Sequence, residues 1–291
     1  MNENIIEEIA QFLLQFRGID MAVFEDGFLK KTLDHRLSVT GKNTYDSYLE
    51  YLKGNKTEIE TLSDSLYIAF SEFFRNPLTF AFLEQVVLPL VIEKKKMANE
   101  NELRVWSAAC ASGQEAYSFA MIFDDLNKSC KTNCHCRIFA TDINQAELER
   151  AKVGIYHKNA LNKVSLRRVQ DYFTQKDENF ILAPQLRNNI DFSVFDLLAK
   201  NGDSPPASIY GNFDLVFCSN VLFYYKPESQ IRILKKLSNN LASGGYLITG
   251  ETERDIVKGD TFREVYANSG IFQKIKYGRR ESTEDFPYQY Q

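Results

Sequence analysis

The chain has 291 residues, 44% of them hydrophobic, with a formal net charge of −4 and a pI near 5.6. That length buries a large core in one domain or two. The slight acidic excess argues against a nucleic-acid binder, which usually carries a basic surplus, and no run of about 18 apolar residues suggests a membrane span.

In chain order, the N-terminus MNENIIEEIAQFLLQF is acidic and amphipathic, unlike a secretory leader with its positive start and continuous apolar core. With five cysteines, an odd number, it sets the expectation of a reduced, cytoplasmic protein. Ile5, Ile6, Ile9, Phe12, Leu13 and Phe16 share one helical face, and Tyr45, Tyr48, Leu49 and Leu52 give a second apolar stripe. Asn76-Pro77 reads as a capped helix start, and Pro89 predicts a kink in the helix that follows. Residues 1–80 are therefore expected to form a helical domain, with 81–102 as connecting helix and linker.

From Leu103 the pattern changes. LRVWSAA, CRIFATDI, FDLVFCSN and GYLITGE read as strands and alternate with helical stretches, which argues for a parallel sheet covered by helices. Ile231, Leu234, Leu237 and Leu241 are expected on the inner face of the late helix, with Gly244-Gly245 turning back into the sheet. Ile271–Lys276 alternates like a strand returning beside GYLITG. Within a β insertion at about 157–195, DYFTQ, NFILAP and NIDFSVF read as short antiparallel strands. The α/β domain is expected over 103–277, and the polar tail 278–291 is expected to be disordered. Cys130, Cys134, His135 and Cys136 fit no common structural zinc spacing, and no metal is expected.

Three features converge on one kind of ligand. The segment VWSAACASGQEAYS is a strand, a turn of small residues around Ala109, and a helix start, so a ligand can pack on the backbone. Asp142 ends the next strand, where an acid typically accepts ribose hydroxyls. Ser219-Asn220 ends FDLVFCSN, again at the carboxyl edge of the sheet, where such folds bind ligands. A nicotinamide cofactor would want three glycines to admit its pyrophosphate, and here only Gly113 is present. S-adenosylmethionine has no phosphate and suits this turn better, with Glu115 next to it for the ammonium or ribose groups.

EFFRNP, VWSAACASGQEAYS, ATDI, GIY and FCSNVLFYY, in this order, resemble the CheR-type methyltransferases across residues 18–276. These transfer methyl from S-adenosylmethionine to glutamate side chains of bacterial chemoreceptors, leaving S-adenosylhomocysteine. The resemblance implies a Rossmann-like α/β methyltransferase domain with a small antiparallel β insertion, preceded by an all-helical substrate-recognition domain. It also implies roles. Arg75 reaches the cofactor and substrate region, Ser71 contacts the cofactor, and Glu115 and Asp142 bind it. Asp196-Leu197 flanks the adenine, Ser219-Asn220 stands for the usual Arg-Asn pair, and Tyr224 lies close to the methyl acceptor. The implied partner is the cytoplasmic helical region of a chemoreceptor.

A carboxylate with a pKa of about 4.3 is already ionised at neutral pH, so such a transfer needs positioning and desolvation and no general base. Arg75 and Tyr224 are the residues expected to orient it. An arginine beside Phe73 and Phe74 also suits a purely structural contact between domains. Where the family has an asparagine before EFFR this chain has Ala69, one hydrogen bond fewer, which is about 0.5–1.5 kcal/mol. Residues 1–75 hold eight Lys/Arg and thirteen Asp/Glu, whereas the family's helical domain is often basic; Lys30, Lys31, His35 and Arg36 form a short basic stripe. The connection between DYFTQ and NFILAP is short, where some relatives carry a longer glycine-containing loop that grips a receptor tail pentapeptide. Pentapeptide-independent action is therefore expected. Two alternatives stay open: methylation of another protein or a small carboxylate, and an inactive cofactor-binding scaffold.

Overall fold

The computed structural model describes residues 2–130, 134–199, 202–259 and 261–275, and the tail 278–291 lies outside them. Helices come first. α1 (Asn2–Arg17) is followed by α2 (Asp26–Thr40), whose first turn donates the Phe28 amide to Glu25. Thr44 and Ser47 cap α3 (Tyr45–Gly54) reciprocally, and Asn55 caps α4 (Lys56–Ser65). These side chains satisfy amides that a first helical turn leaves unpaired. Ile9, Leu13, Tyr48 and Leu52 meet in the core of this helical unit. Phe16 departs from its expected face: it is 60% exposed and lies against Phe12. Arg36 also leaves the basic stripe, because both its Nε and Nη2 donate to the buried Glu58 carboxylate, at 2.9 and 2.6 Å.

α5 (Pro77–Phe82) runs through a π-helical turn (Leu83–Val87) into α6 (Leu88–Met97). Pro77 takes the first helical position, but the Asn76 side chain makes no capping bond. Pro89 is expected to kink this helix. The structure instead widens the turn just before it, which makes room where the proline ring would strike the carbonyl of Gln85.

The sheet domain follows as β1 (Glu102–Ala108), α7 (Gln114–Cys130), β2 (His135–Asp142), α8 (Gln145–Val153) and β3 (Ile155–His157). Then come α9 (Leu166–Tyr172), β4 (Phe173–Lys176), β5 (Asn179–Leu182), α10 (Pro184–Arg187), β6 (Ile190–Val194) and β7 (Phe213–Cys218). α11 (Pro227–Asn240), β8 (Leu241–Thr249), α12 (Arg254–Val257), β9 (Phe262–Glu264) and β10 (Ile271–Lys274) complete it. Seven strands form the main sheet in the order β6-β2-β1-β7-β8-β10-β9. β6, β2, β1, β7 and β8 are parallel, while β10 runs antiparallel between β8 and β9. Val105, Phe119 and Phe217 fill the core on one side, and Trp106, Phe139 and Phe213 on the other. This is the Rossmann-like α/β arrangement expected, preceded by the helical unit and carrying a three-stranded antiparallel sheet, β3-β5-β4.

Three sequence expectations change. NIDFSVF is not part of the antiparallel insertion: as β6 it pairs in parallel with β2, Ile138 opposite Ile190, and closes the main sheet's edge. β3 takes its place in the small sheet. Ile231 is 65% exposed, and the buried stripe of α11 is Ser229, Ile233 and Leu237, each four residues from the next and so on one helical face. Gly244-Gly245 lies inside β8, at an irregularity in its pairing with β7; a side chain at Gly245 would press the Phe213 carbonyl at 3.0 Å.

A short antiparallel bridge joins the two units. Phe24 pairs with Tyr225, the Glu25 amide donates to the Tyr224 carbonyl (2.9 Å), and the Lys226 amide donates to the Val23 carbonyl (2.9 Å). The Phe24 and Tyr225 rings stack with centroids 5.2 Å apart, and Lys226 pairs with Asp26 at 2.8 Å.

Candidate active site

The carboxyl ends of β1, β2, β6 and β7, together with the linker that follows α4, enclose a cleft of about 1080 Å³, part of it open to solvent.

β1 ends in a turn whose residues Ala109, Ala111 and Gly113 all have positive φ, 57°, 47° and 86°. Such a backbone is held only by many contacts. The Cys110 amide donates to the Thr141 carbonyl (2.9 Å), the Ala111 amide to Asp142 Oδ2 (2.8 Å), and the Tyr156 hydroxyl to the Ser112 carbonyl (2.7 Å). Gly113 is obligatory here: a Cβ would stand 2.9 Å from that of Ala151 on α8. Asp142 thus does more than wait for a ribose. Its Oδ1 accepts the Asn144 amide (2.8 Å) while Oδ2 holds Ala111, so it ties the first two turns of the sheet together. Burial pushes its carboxyl up, and these amides pull it back.

Glu115, in the first turn of α7, accepts the Ser107 hydroxyl at 2.7 Å. Burial pushes its carboxyl up to about 7, against the opposing pull of the Ser107 and Ser219 hydroxyls and the Arg75 guanidinium. Asp196, just past β6, accepts the Leu198 amide at 2.7 Å, which sets the buried Leu197 side chain against the cleft. Ser219 and Asn220 follow β7, Asn220 with φ 63°.

The linker supplies the opposite wall, including Ala69, Ser71 and Arg75. Phe74 has φ 51° and donates its amide to the Ser118 hydroxyl (2.9 Å) on α7, which turns the next residue toward the cleft. Arg75 donates to the Phe70 carbonyl (3.1 Å) and lies 5.1 Å over the Phe70 ring. Its backbone carbonyl accepts Lys163 Nζ, which also pairs with Glu72 at 2.8 Å. Tyr224 closes the cleft from a 3-10 turn (Leu222–Tyr224). Burial raises its hydroxyl pKa, and Arg75 lowers it.

Every residue singled out in the sequence for a role at the site lines this one cleft. Sequence reading missed Tyr67, Ile143 and Phe195, which also line it, and Glu253, which stands behind it. The chemistry of the lining fits S-adenosylmethionine. Among the described lining residues Arg75 is the one lysine or arginine, against Glu72, Glu115, Asp142 and Asp196. Acids suit an ammonium and a sulfonium and oppose a diphosphate, and Ile143, Phe195 and Leu197 offer apolar walls for a purine.

A second groove adjoins the first and shares Ile68 and Tyr224 with it; Phe28, Lys31 and His35 of α2 line its other side with Phe223. No helix among the described residues is long and apolar enough to cross a membrane.

Comparison with known proteins agrees with this geometry. The family described as "CheR methyltransferase, SAM binding domain" matches residues 69–271, and "CheR methyltransferase, all-alpha domain" matches residues 4–67. The Chemotaxis protein methyltransferase 1 of Pseudomonas aeruginosa is 35% identical over 75% of this chain and 77% of its own length. The Chemotaxis protein methyltransferase of Escherichia coli is 32% identical over 84% of this chain and 82% of its own. An uncharacterized 104.1 kDa protein of Rhodobacter capsulatus is 32% identical over 95% of this chain, which spans only 28% of that protein. The chain belongs to the CheR methyltransferase family, as an S-adenosylmethionine-dependent methyltransferase whose by-product is S-adenosylhomocysteine.

Proposed function

We propose that the protein methylates glutamate side-chain carboxylates in the cytoplasmic helices of a chemoreceptor, without a tethering pentapeptide. The observation that carries this reading is the junction of the two clefts at Tyr224. A carboxylate entering along the groove beside Lys31 and His35 arrives at Tyr224 and Arg75, at the mouth of the cofactor cleft. The bound cofactor supplies an electrophilic methyl on a sulfonium. Glu115 receives its ammonium or ribose groups, Asp142 and Asp196 its hydroxyls, and Leu197 packs on its purine. Ser71, Ala109, Ser219 and Asn220 line the remaining contacts.

The acceptor oxygen is ionised already, so no residue need remove a proton. The Tyr224 hydroxyl and Arg75 guanidinium orient it. Arg75 is already engaged by the Phe70 carbonyl and ring, which tempers its grip on an anion whose charge disappears in the reaction. Only two residues, Asp177 and Glu178, connect β4 to β5, which leaves little loop to hold a receptor tail.

Transfer of labelled methyl from S-adenosylmethionine to a receptor cytoplasmic fragment, as a base-labile product, tests this directly. The same rate should be found with the fragment's C-terminal tail removed. Label appearing only in another protein or a small carboxylate would replace the acceptor assignment. Cofactor binding with no transfer to any acceptor would favour an inactive scaffold, for which Ala69 and Ser219 are the motivating departures.

A further inference from the structure

The Glu253 side chain is wholly buried, and its charge is met by backbone amides. Oε1 accepts the amides of Val221 and Leu222, both at 2.6 Å, and Oε2 accepts those of Asn220 (2.6 Å) and Gly250 (2.8 Å). Three of these are consecutive in the turn after β7, and the fourth belongs to the turn after β8. Ser219, Asn220, Val221 and Tyr224 of that first turn line the cofactor cleft, while Glu253 does not. Close approach is built into the sequence at this point. A Cβ on Gly250 would sit 2.9 Å from both Asn220 Oδ1 and Glu253 Oε2. The left-handed Asn220, φ 63°, needs such an anchor to persist.

We propose that Glu253 is a positioning residue for methyl transfer: its carboxylate fixes the backbone of the 219–224 turn and thereby the placement of Ser219, Asn220 and Tyr224. A four-fold amide acceptor is a task for which a carboxylate has no substitute. Glutamine has the same size, but its NH₂ group would face amide N–H groups, donor against donor. Aspartate is one methylene shorter and cannot span both turns. The chemical part of this role rests on the methyltransferase reading of the cleft; the structural part does not.

The test compares wild-type protein with Glu253→Gln, Glu253→Asp and, as a stability control in the core on the other face of the sheet, Ile122→Val. Hydrogen exchange should accelerate about tenfold or more at Asn220, Val221 and Leu222 in Glu253→Gln, with β1 and β2 unchanged. Calorimetric affinity for S-adenosylhomocysteine should fall several-fold, and kcat at saturating cofactor should fall further, with Glu253→Asp intermediate in each. If Glu253→Gln does not fold, Glu253→Asp alone should show the same localised exchange. Unchanged exchange at the three amides, or exchange raised equally throughout the sheet, would overturn the proposal. So would a loss of affinity or kcat that Ile122→Val reproduces at the same loss of Tm. A wild-type protein that leaves the receptor fragment unmethylated would sink the acceptor assignment only; exchange and affinity would still decide the role of Glu253.

Discussion

At the scale of single residues, Glu115 makes the sharpest statement about pH. Its carboxyl is raised to about 7, so in the free protein it is largely protonated under mildly acidic conditions. Because the folded value is above the unfolded one, its contribution to stability is complete below the ordinary carboxylate range. That contribution is lost as pH rises through about 7. Cofactor binding has the opposite sign, since a cationic ligand prefers the ionised form. Affinity for S-adenosylmethionine should therefore fall as pH drops below 7, by up to about tenfold per unit, and binding near pH 6 should release a proton. Glu115→Gln should flatten that dependence in calorimetry across two buffers of different ionisation heat. A variant with the same pH slope as wild type would show that another group carries it. Arg75→Ala and Tyr224→Phe should each lower kcat at saturating cofactor by roughly tenfold or more, the size of one hydrogen bond to a charged group. Near-normal turnover in both would remove them from the reaction. Most of this site was legible because its residues end strands or follow motifs. Glu253 was not, because it serves backbone amides that no side-chain pattern records. The spacing Gly250 to Glu253, a glutamate three residues after a glycine that follows a strand, is the one signal that could have found it, since the glutamate accepts the Gly250 amide as the N3 residue of a capping box does.

At the scale of elements, the turn between β1 and α7 concentrates strain and should be the least tolerant. Gly113→Ala combines a φ of 86° with a Cβ 2.9 Å from Ala151, so a loss of about 1–3 kcal/mol is expected from the backbone conformation alone. Thermal unfolding would measure it, and an unchanged Tm would mean the turn can rearrange. The strands were readable where they are buried throughout and nearly all apolar, as FDLVFC in β7, because a parallel strand covered on both faces leaves no other pattern. Reading failed where two answers share one pattern. NIDFSVF alternates equally well as an insertion strand or as the sheet's edge, and only its parallel register with β2 decides. Ile231 was misread because four apolar residues spaced three or four apart fit α11 in more than one phase. The buried phase also recruits Ser229, which no hydrophobic pattern would choose. Pro89 was read correctly as a disturbance but not as a π-helical turn, a local widening that sequence does not separate from a kink.

At the scale of the whole molecule, the basic residues of α2 divide by what they face. Arg36 is consumed internally by Glu58, which also accepts the Tyr48 hydroxyl, whereas Lys31 and His35 face the groove that meets Tyr224. Lys31→Glu should raise KM for an acidic receptor fragment several-fold at low ionic strength and leave kcat alone. The effect should shrink as salt shortens the screening length to about 8 Å at 0.15 M. A salt-independent change would point to altered packing instead. The strip joining the helical unit to the sheet domain carries a further consequence for anyone building hybrids. Val23 to Asp26 completes the hydrogen bonding of the segment immediately after Tyr224 and roofs the Tyr225 ring. An excised sheet domain would leave those groups bare. The N-terminal helices can therefore be exchanged with a relative's only at a splice that carries this four-residue seam along with its native mate.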